Sequence, residues 1–548
     1  MKSLRKINLV VLAVVFMVSV FLGFSNLNPS KPNTTDQSTF NAQNVYDHIA
    51  QIAQEPHSIF EQEALGRVRD YVIGELEALG IETQVYGYED VYVERSDTYT
   101  PLKNIYGKID GKNDSYIMLV THYDNNSRAK VERYAESDGS LGAADAGYGL
   151  STILETLRVI VENNIELENG IKVLITDGEE YGLLGAKEAV KEAEIFENVN
   201  YLINLEARGI KGPAVMFETS LNNKGVLELY DVTNRAFSYS INPEIYRSLP
   251  NGTDFTVFLE QGIKGINISV LDSLDYYHTP NDRLENVSMK SLQHYGDQVL
   301  PIVTEFVTND TYASAEALES DEDLIFFTLT KSLFIKYSHM INYVLLAAIL
   351  VGIIIFVVKN KLEAKSVLKY MGINVFMGAG FAGIGYGLAR LAALLMDKPF
   401  KLTYLPLVPY EEVIIILTLL ISFGLYYGVM LYISKKYKEK DAYLAGSMST
   451  LWILSVAFTF ALPGGSYLTV FPVLVTLVCL FLSRISEKFL VNRLMYVMLI
   501  PFALILILFA PTIYLFNCAL TFGGFGVTMI FVWIAYIALT NCIVEIQH

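Results

Sequence analysis

The sequence is poor in cysteine and poor in charge. Its 548 residues contain three cysteines, Cys479, Cys518 and Cys542, all in the C-terminal half. The first half therefore has no disulfide to stabilise it and no thiolate to offer as nucleophile or metal ligand. Charged residues make up only 18% of the chain and apolar ones 52%, against about 25% charged in an ordinary soluble domain. Positive charge is scarcest before Ile341, where 27 Lys and Arg face 50 Asp and Glu, a net of −23. From Ile341 onward 14 basic residues face 8 acidic ones, a net of +6. A small disulfide scaffold and a wholly soluble protein are excluded. No basic face is available to neutralise phosphates, so a nucleic-acid partner is not expected.

Long apolar runs are what the sequence has instead. Lys2, Arg5 and Lys6 precede a run from Ile7 to Phe24, long enough to span a bilayer. It exceeds the apolar core of a cleaved signal peptide and no A-x-A site follows, so residues 1–26 read as a retained anchor. Residues 27–41, polar with two prolines, read as a linker. Seven further apolar stretches fall near 341–358, 370–396, 413–434, 442–462, 467–483, 495–515 and 521–541, making 340–548 an all-α membrane domain. Lys359, Lys361, Lys365 and Lys369 follow the first; Lys435, Lys436, Lys438 and Lys440 follow the third; Arg484, Lys488 and Arg493 follow the fifth. Basic loops stay in the cytoplasm. The alternation places both termini there and the intervening soluble segment outside, in a multi-pass cell-membrane protein.

That segment, residues 42–310, alternates helical patterns such as EALGRVRDYVIGELEALG with short β-rich runs: SYIMLVTHY, IKVLITD, YLINLE, PAVMF and KGINISV. The alternation predicts an α/β domain with a mainly parallel or mixed sheet flanked by helices. Residues 311–339, acidic over ASAEALESDEDL, read as a second linker.

Five segments put acids and histidines at the ends of these runs: His122-Tyr-Asp124, Gly142-Ala-Ala-Asp145, Asp177-Gly-Glu179-Glu180, Asn204-Leu-Glu206 and Tyr277-His278-Thr-Pro280-Asn-Asp282. Loops at the carboxyl ends of parallel strands converge on one crevice. Two imidazoles and several carboxylates without sulfur suit zinc, and one carboxylate could bridge two ions. A further carboxylate must then take the proton from water, and Glu179 and Glu180 suit that division. Each piece alone has a bland alternative. Glu-Glu can be helix-start charge, Asp145 an N-cap, and His278 a turn residue. The weight lies in their order and strand-end placement together. His48, His57, His294, His339 and His548 read as structural or surface residues.

The combination of Pro56-His57, HYD, the GAAD turn, DGEEYGLLGA, NLE, NGTDF and YHTPND, in this order over residues 42–310, resembles peptidase family M28, the di-zinc exopeptidases. The attached multi-span half, and Glu206 where Asp is usual, resemble the family's endoplasmic-reticulum metallopeptidases. The resemblance implies a zinc-dependent exopeptidase acting on peptides, of aminopeptidase type, with two zinc ions per chain. His122 and Glu206 would bind one ion, Glu180 and His278 the other, and Asp145 both. Glu179 would be the general base, Asp124 would orient His122, and Tyr277 would stabilise the oxyanion. The same fold also serves one-zinc glutaminyl cyclases and non-catalytic binding proteins. A transporter with an accessory peptidase-like domain is a further alternative. Side-chain preference and oligomeric state are not encoded in any motif.

Overall fold

The computed structural model describes residues 2–127, 139–249, 251–402, 405, 408–437, 439–485 and 494–547. It divides into two compact units, Asn28–Phe334 and a second made of Met1–Leu27 with Ile335–His548.

The first unit is built on a seven-stranded mixed sheet. Its chain order runs α2 (Ala42–Ile52), α3 (Gln62–Ala78), β1 (Glu82–Val93), β2 (Thr98–Ile109), β3 (Asn113–His122), α4 (Gly147–Glu162), β4 (Asn169–Thr176), α5 (Leu184–Ala189), α6 (Ala193–Phe196), β5 (Val199–Ala207), β6 (Val215–Thr219), α7 (Lys224–Tyr230), α8 (Ile241–Arg247), α9 (Asp254–Glu260), β7 (Gly265–Val270), α10 (Met289–Thr308) and β8 (Leu324–Thr330). An N-terminal helix, α1 (Lys2–Ser25), precedes these in the other unit. The strand order is β1-β2-β4-β3-β5-β7-β6. Strands β4, β3, β5 and β7 run parallel, and β1, β2 and β6 join antiparallel at the edges. Strand β3 lies between β4 and β5, so successive crossovers leave it in opposite directions. That is a topological switch point, where the carboxyl ends of the strands open a crevice. One apolar layer includes Ile117, Leu119, Leu205 and Ile268 against α4 and α10. The other includes Met118, Val120, Leu174 and Phe258 against α5 and α9.

The expected five-strand core is present, and the structure adds β1 and β2. The boundaries of the unit also differ from the expected 42–310. Phe40 is 2% exposed, and a Cβ on Gly296 would sit 2.1 Å from its ring. Asn33 N donates to Gln293 Oε1 at 2.8 Å. At the other end Leu318 and Phe326 are each 1% exposed, and Ser240 N donates to Phe326 O at 2.8 Å. Residues expected to be free linkers thus fold onto the domain, because their few apolar side chains bury there. A further strand, Leu333–Ser338, follows.

The second unit is helical: α1, α11 (His339–Lys359), α12 (Ala364–Leu395), α13 (Glu411–Tyr437), α14 (Lys440–Ala461), α15 (Tyr467–Ile485), α16 (Leu499–Leu520) and α17 (Phe525–Gln547). Among the described residues eight helices are long and apolar enough to cross a membrane. Glycines let α12 approach α17 closely, since a Cβ on Gly378 would meet the Trp533 ring at 2.7 Å. Lys438, Lys488, Arg493 and His548 lie outside the described residues.

Candidate metal centre

Each side chain of the site is set by a strand end or by the turn that follows it. Strand β3 ends at His122, which pairs in register with Thr176 at the end of β4. Glu206, near the end of β5, pairs with Ser269 of β7. Asp145 sits two residues before α4, whose first turn presses onto the sheet. A Cβ on Gly149 would lie 2.4 Å from Thr121 Oγ1 and 2.7 Å from Leu205 O, so a larger residue there would lift Asp145 off the strands. Gly178 takes φ +74 in the turn that carries Glu179 and Glu180, a conformation that costs glycine little. His278 itself adopts φ +57, which is uncommon for a side chain of its kind and a mark of constraint at functional sites.

These elements bring all five expected ligands together. His122 Nε2 lies 3.4 Å from Asp145 Oδ1 and 3.5 Å from Glu206 Oε2. His278 Nε2 lies 3.2 Å from Asp145 Oδ2 and 2.9 Å from Glu180 Oε1. Asp145 therefore turns one oxygen to each of two triples, His122–Asp145–Glu206 and Asp145–Glu180–His278, each with donor atoms within 4.8 Å of one another. His122 Nε2, His278 Nε2, Asp145 Oδ2 and Glu180 Oε1 are buried without a hydrogen bond. Two histidines and three carboxylates buried this close, with only each other for partners at these atoms, are a costly arrangement for a purely structural cluster. A pair of divalent cations fits them, with nitrogen and oxygen donors that suit zinc.

The surroundings hold the donors in place. His122 Nδ1 lies 2.9 Å from the backbone oxygen of Asp124 and 3.5 Å from its carboxylate. That carboxylate also accepts the N–H groups of Glu179 at 3.0 Å and Glu180 at 3.3 Å, tying one histidine to the glutamate turn. Asn204 Nδ2 donates to Glu206 Oε1 at 2.9 Å, leaving Oε2 for the His122 side. Tyr277 stacks on His278 with ring centroids 3.6 Å apart. Glu179 belongs to neither triple.

Electrostatics follow from this crowding. Burial raises the Glu179 carboxyl well above its usual range, and the Glu206 charge adds to it. Burial works against a charged His122, but the carboxylates of Asp124, Asp145 and Glu206 outweigh it and hold the imidazole well above 6.5. His278 is likewise carried up to about 9, against burial, chiefly by Glu180.

Two positions emerge only in three dimensions. Asp282 Oδ1 accepts Ala144 N–H at 2.7 Å, while Oδ2 accepts Asp145 N–H at 3.3 Å and Ser140 Oγ–H at 2.9 Å. Asn126 Nδ2 donates to Glu180 Oε2 at 3.0 Å and lies 3.2 Å from His278 Nδ1. Asp282 closes the YHTPND motif and Asn126 follows HYD by two residues, so the motifs gave their neighbourhood but not their partners. The remaining described histidines stay outside the triples. His57 is buried with Nδ1 2.8 Å from Glu55 O, and His48 Nδ1 lies 2.7 Å from Tyr71 Oη.

Residues 104–303 match the model of peptidase family M28. That stretch of the first unit is similar to the M28 peptidases. Its similar relatives include a vacuolar membrane protease of Yarrowia lipolytica, 24% identical over 384 residues, which cover 64% of this chain and 37% of that protein. Endoplasmic reticulum metallopeptidase 1 of Mus musculus is 23% identical over 273 residues, covering 49% of this chain and 29% of its own length. This chain thus spans about a third of the length of these relatives. Among solved structures, the aminopeptidase from Aneurinibacillus sp. strain AM-1 covers 50% of this chain and 95% of its own at 15% identity and TM-score 0.39. A glutaminyl cyclase of Porphyromonas gingivalis covers 49% and 99% at 20% identity and TM-score 0.40.

Proposed function

We propose that this protein is a membrane-anchored, zinc-dependent exopeptidase of aminopeptidase type, with its M28 domain outside the cytoplasm. The observation that carries the reading is the divided carboxylate of Asp145, which turns one oxygen to each of two buried nitrogen-and-oxygen triples. His122 and Glu206 would hold one zinc ion, Glu180 and His278 the other, and Asp145 both. Bound there, the ions supply Lewis acidity toward a peptide carbonyl and a water molecule.

The chain's own groups divide the remaining work. Glu179, raised by burial and kept out of both triples, accepts the proton of the attacking water and returns it to the leaving amine. Asp124 fixes the ring of His122 and the backbone of Glu179 at once. Tyr277, packed face to face on His278, directs its hydroxyl toward the carbonyl oxygen as negative charge develops there.

Metal stoichiometry and kcat on two variants test this. Glu179→Gln should retain two zinc ions and bind peptide, yet lose activity by roughly 10²–10⁴-fold. Glu180→Gln should lose affinity for one ion, with partial recovery in added zinc. A near-normal kcat in Glu179→Gln would remove the mechanism whatever the metal content.

A further inference from the structure

A row of buried polar side chains lies across the neighbouring strands β5, β7 and β6, on the face that carries Glu206. Asn204 of β5 pairs in register with Asn267 of β7, and Asn267 pairs with Glu218 of β6. The register slips between Met216 and Glu218. In an unbroken ladder Phe217 would stand opposite Asn267. The bulge re-aims the strand and sets a carboxyl there instead. Asn204 and Asn267 are fully buried and Glu218 is 3% exposed. Thr253, which opens α9 and belongs to the NGTDF motif, meets the row from the helix side.

The hydrogen bonds of the row leave it one arrangement. Asn204 Nδ2 donates to Glu206 Oε1 at 2.9 Å and to Asn267 Oδ1 at 3.1 Å. Asn267 Nδ2 donates to Thr253 Oγ1 at 2.8 Å and to Glu218 Oε2 at 3.2 Å. An amide nitrogen carries two hydrogens, so both side chains spend all of theirs within the row. Turned over, Asn204 would set its oxygen against Glu206 Oε1 and Asn267 Oδ1. Turned over, Asn267 would set its oxygen against Glu218 and its nitrogen against that of Asn204. The carboxylates at the two ends therefore fix the sense of both amides between them. A glutamate reaches a metal through several rotatable bonds, and the strand holds only the first of them. The row supplies the rest of the constraint: it binds Oε1 of Glu206 and leaves Oε2 for the side of His122, 3.5 Å away. Among the described residues no hydrogen bond joins the row to Glu180 or His278, which Asn126 contacts instead.

We propose that Asn267, acting through Asn204, is a positioning residue for Glu206, and that Glu218 and Thr253 lock it in that role. This rests on the two-zinc reading of the site and divides its two positions. The ion held by His122, Asp145 and Glu206 depends on a row of amides that crosses three strands, and the ion held by Asp145, Glu180 and His278 does not.

The test is zinc affinity, measured by chelator competition on the full chain in detergent, in two backgrounds that each keep one position. Glu180→Gln keeps the Glu206 position and His122→Ala keeps the other. Asn267→Leu should weaken zinc about 10-fold in the first background, the low end for an outer partner of a ligand, and less than about twofold in the second. Glu218→Gln retains an acceptor oxygen for Asn267 and should match its parent, whereas Glu218→Leu should weaken zinc in the first background only. Glu206→Asp draws the carboxylate back by about 1.5 Å, out of reach of Asn204, so Asn267→Leu should add no further loss there. A merely structural role for Asn267 would lower affinity in both backgrounds together with the melting temperature. That pattern, or no loss in either background, would overturn the assignment. Should Asn267→Leu not fold, the contrast between Glu218→Gln and Glu218→Leu decides it. Wild type that binds zinc while these variants are silent overturns the positioning role alone; wild type that binds no zinc overturns the metal reading and this role with it.

Discussion

Asp282 gives no donor to either triple, yet it fixes the residue that both share. Its buried carboxylate accepts two backbone N–H groups of the GAAD turn and one hydroxyl, and burial followed by the Asp145 charge raises it to about 7. The turn cannot shift without breaking those bonds. Asp282→Asn replaces one acceptor oxygen with a donor that faces N–H groups, so Asp145 should lose its position relative to both ions. Zinc affinity is expected to fall about 10–100-fold, the range for outer partners of metal ligands, at both sites rather than one. Competition with a chelator of known affinity measures this, and weakening at a single site would contradict the shared-residue geometry. At this scale the motifs made the ligands legible, because acids and histidines at strand ends carry a strong pattern. Asp282 stood inside the last motif and Asn126 beside the first, but their roles were not legible, since these lie in backbone and side-chain partners far away in the chain.

Helices and buried strands were legible for the same reason their cores are dry. The parallel strands read as continuous apolar runs because both faces are covered, as β4 is along its whole length. The hairpin of β1 and β2 was not, because β1 is an exposed edge with only Val93 buried, and a polar, tyrosine-rich stretch resembles a loop. Composition misled again at residues 313–324, where the acidic residues hide Leu318. Helix α10 adds a measurable consequence of burial. His294 is 2% exposed, accepts Ala214 N–H on Nδ1 at 2.9 Å and contacts Arg235 O through Nε2 at 3.2 Å. Burial, reinforced by the Arg235 charge, lowers it to about 3. Its folded value lies below the unfolded 6.5, so the unfolded chain binds the proton more readily between those values. The stability it contributes is complete above about pH 6.5 and is lost as pH falls toward 3, by up to about 1.4 kcal/mol per unit. His294→Gln cannot charge, so the gap in melting temperature between wild type and variant should narrow from pH 7.5 to pH 5. A gap that holds constant would show that the imidazole is not kept neutral.

Across the helical unit, charge gathers at one end. Asn8, near the start of α1, donates to Ile546 O near the end of α17 at 3.1 Å, so those two ends lie side by side. Arg484 at the end of α15 contacts Asp441 at 2.7 Å and Glu545 at 3.2 Å, and Lys440 contacts Glu545 at 2.8 Å. Lys369 pairs with Glu439, and Arg484 Nη1 approaches Asn360 Oδ1 at 3.5 Å. Lys369, Lys440 and Arg484, one from each of the three basic connections, thus lie near one another through Glu439, Asp441 and Glu545. Elsewhere, Arg390 lies over the Phe400 ring at 5.0 Å, and Glu411 accepts from Asn517 at 3.0 Å. The proposed topology puts these basic residues on the cytoplasmic side and residues 28–334 on the other. The described cysteines are confined to the helical unit, which makes introduced thiols informative against a wild-type background. Leu221, 60% exposed on the first unit, replaced by cysteine should react with a membrane-impermeant maleimide in intact cells. Lys361→Cys, between α11 and α12 in the first basic connection, should react only after permeabilisation. The opposite labelling pattern would invert the topology and, with it, the compartment in which the proposed peptidase would act.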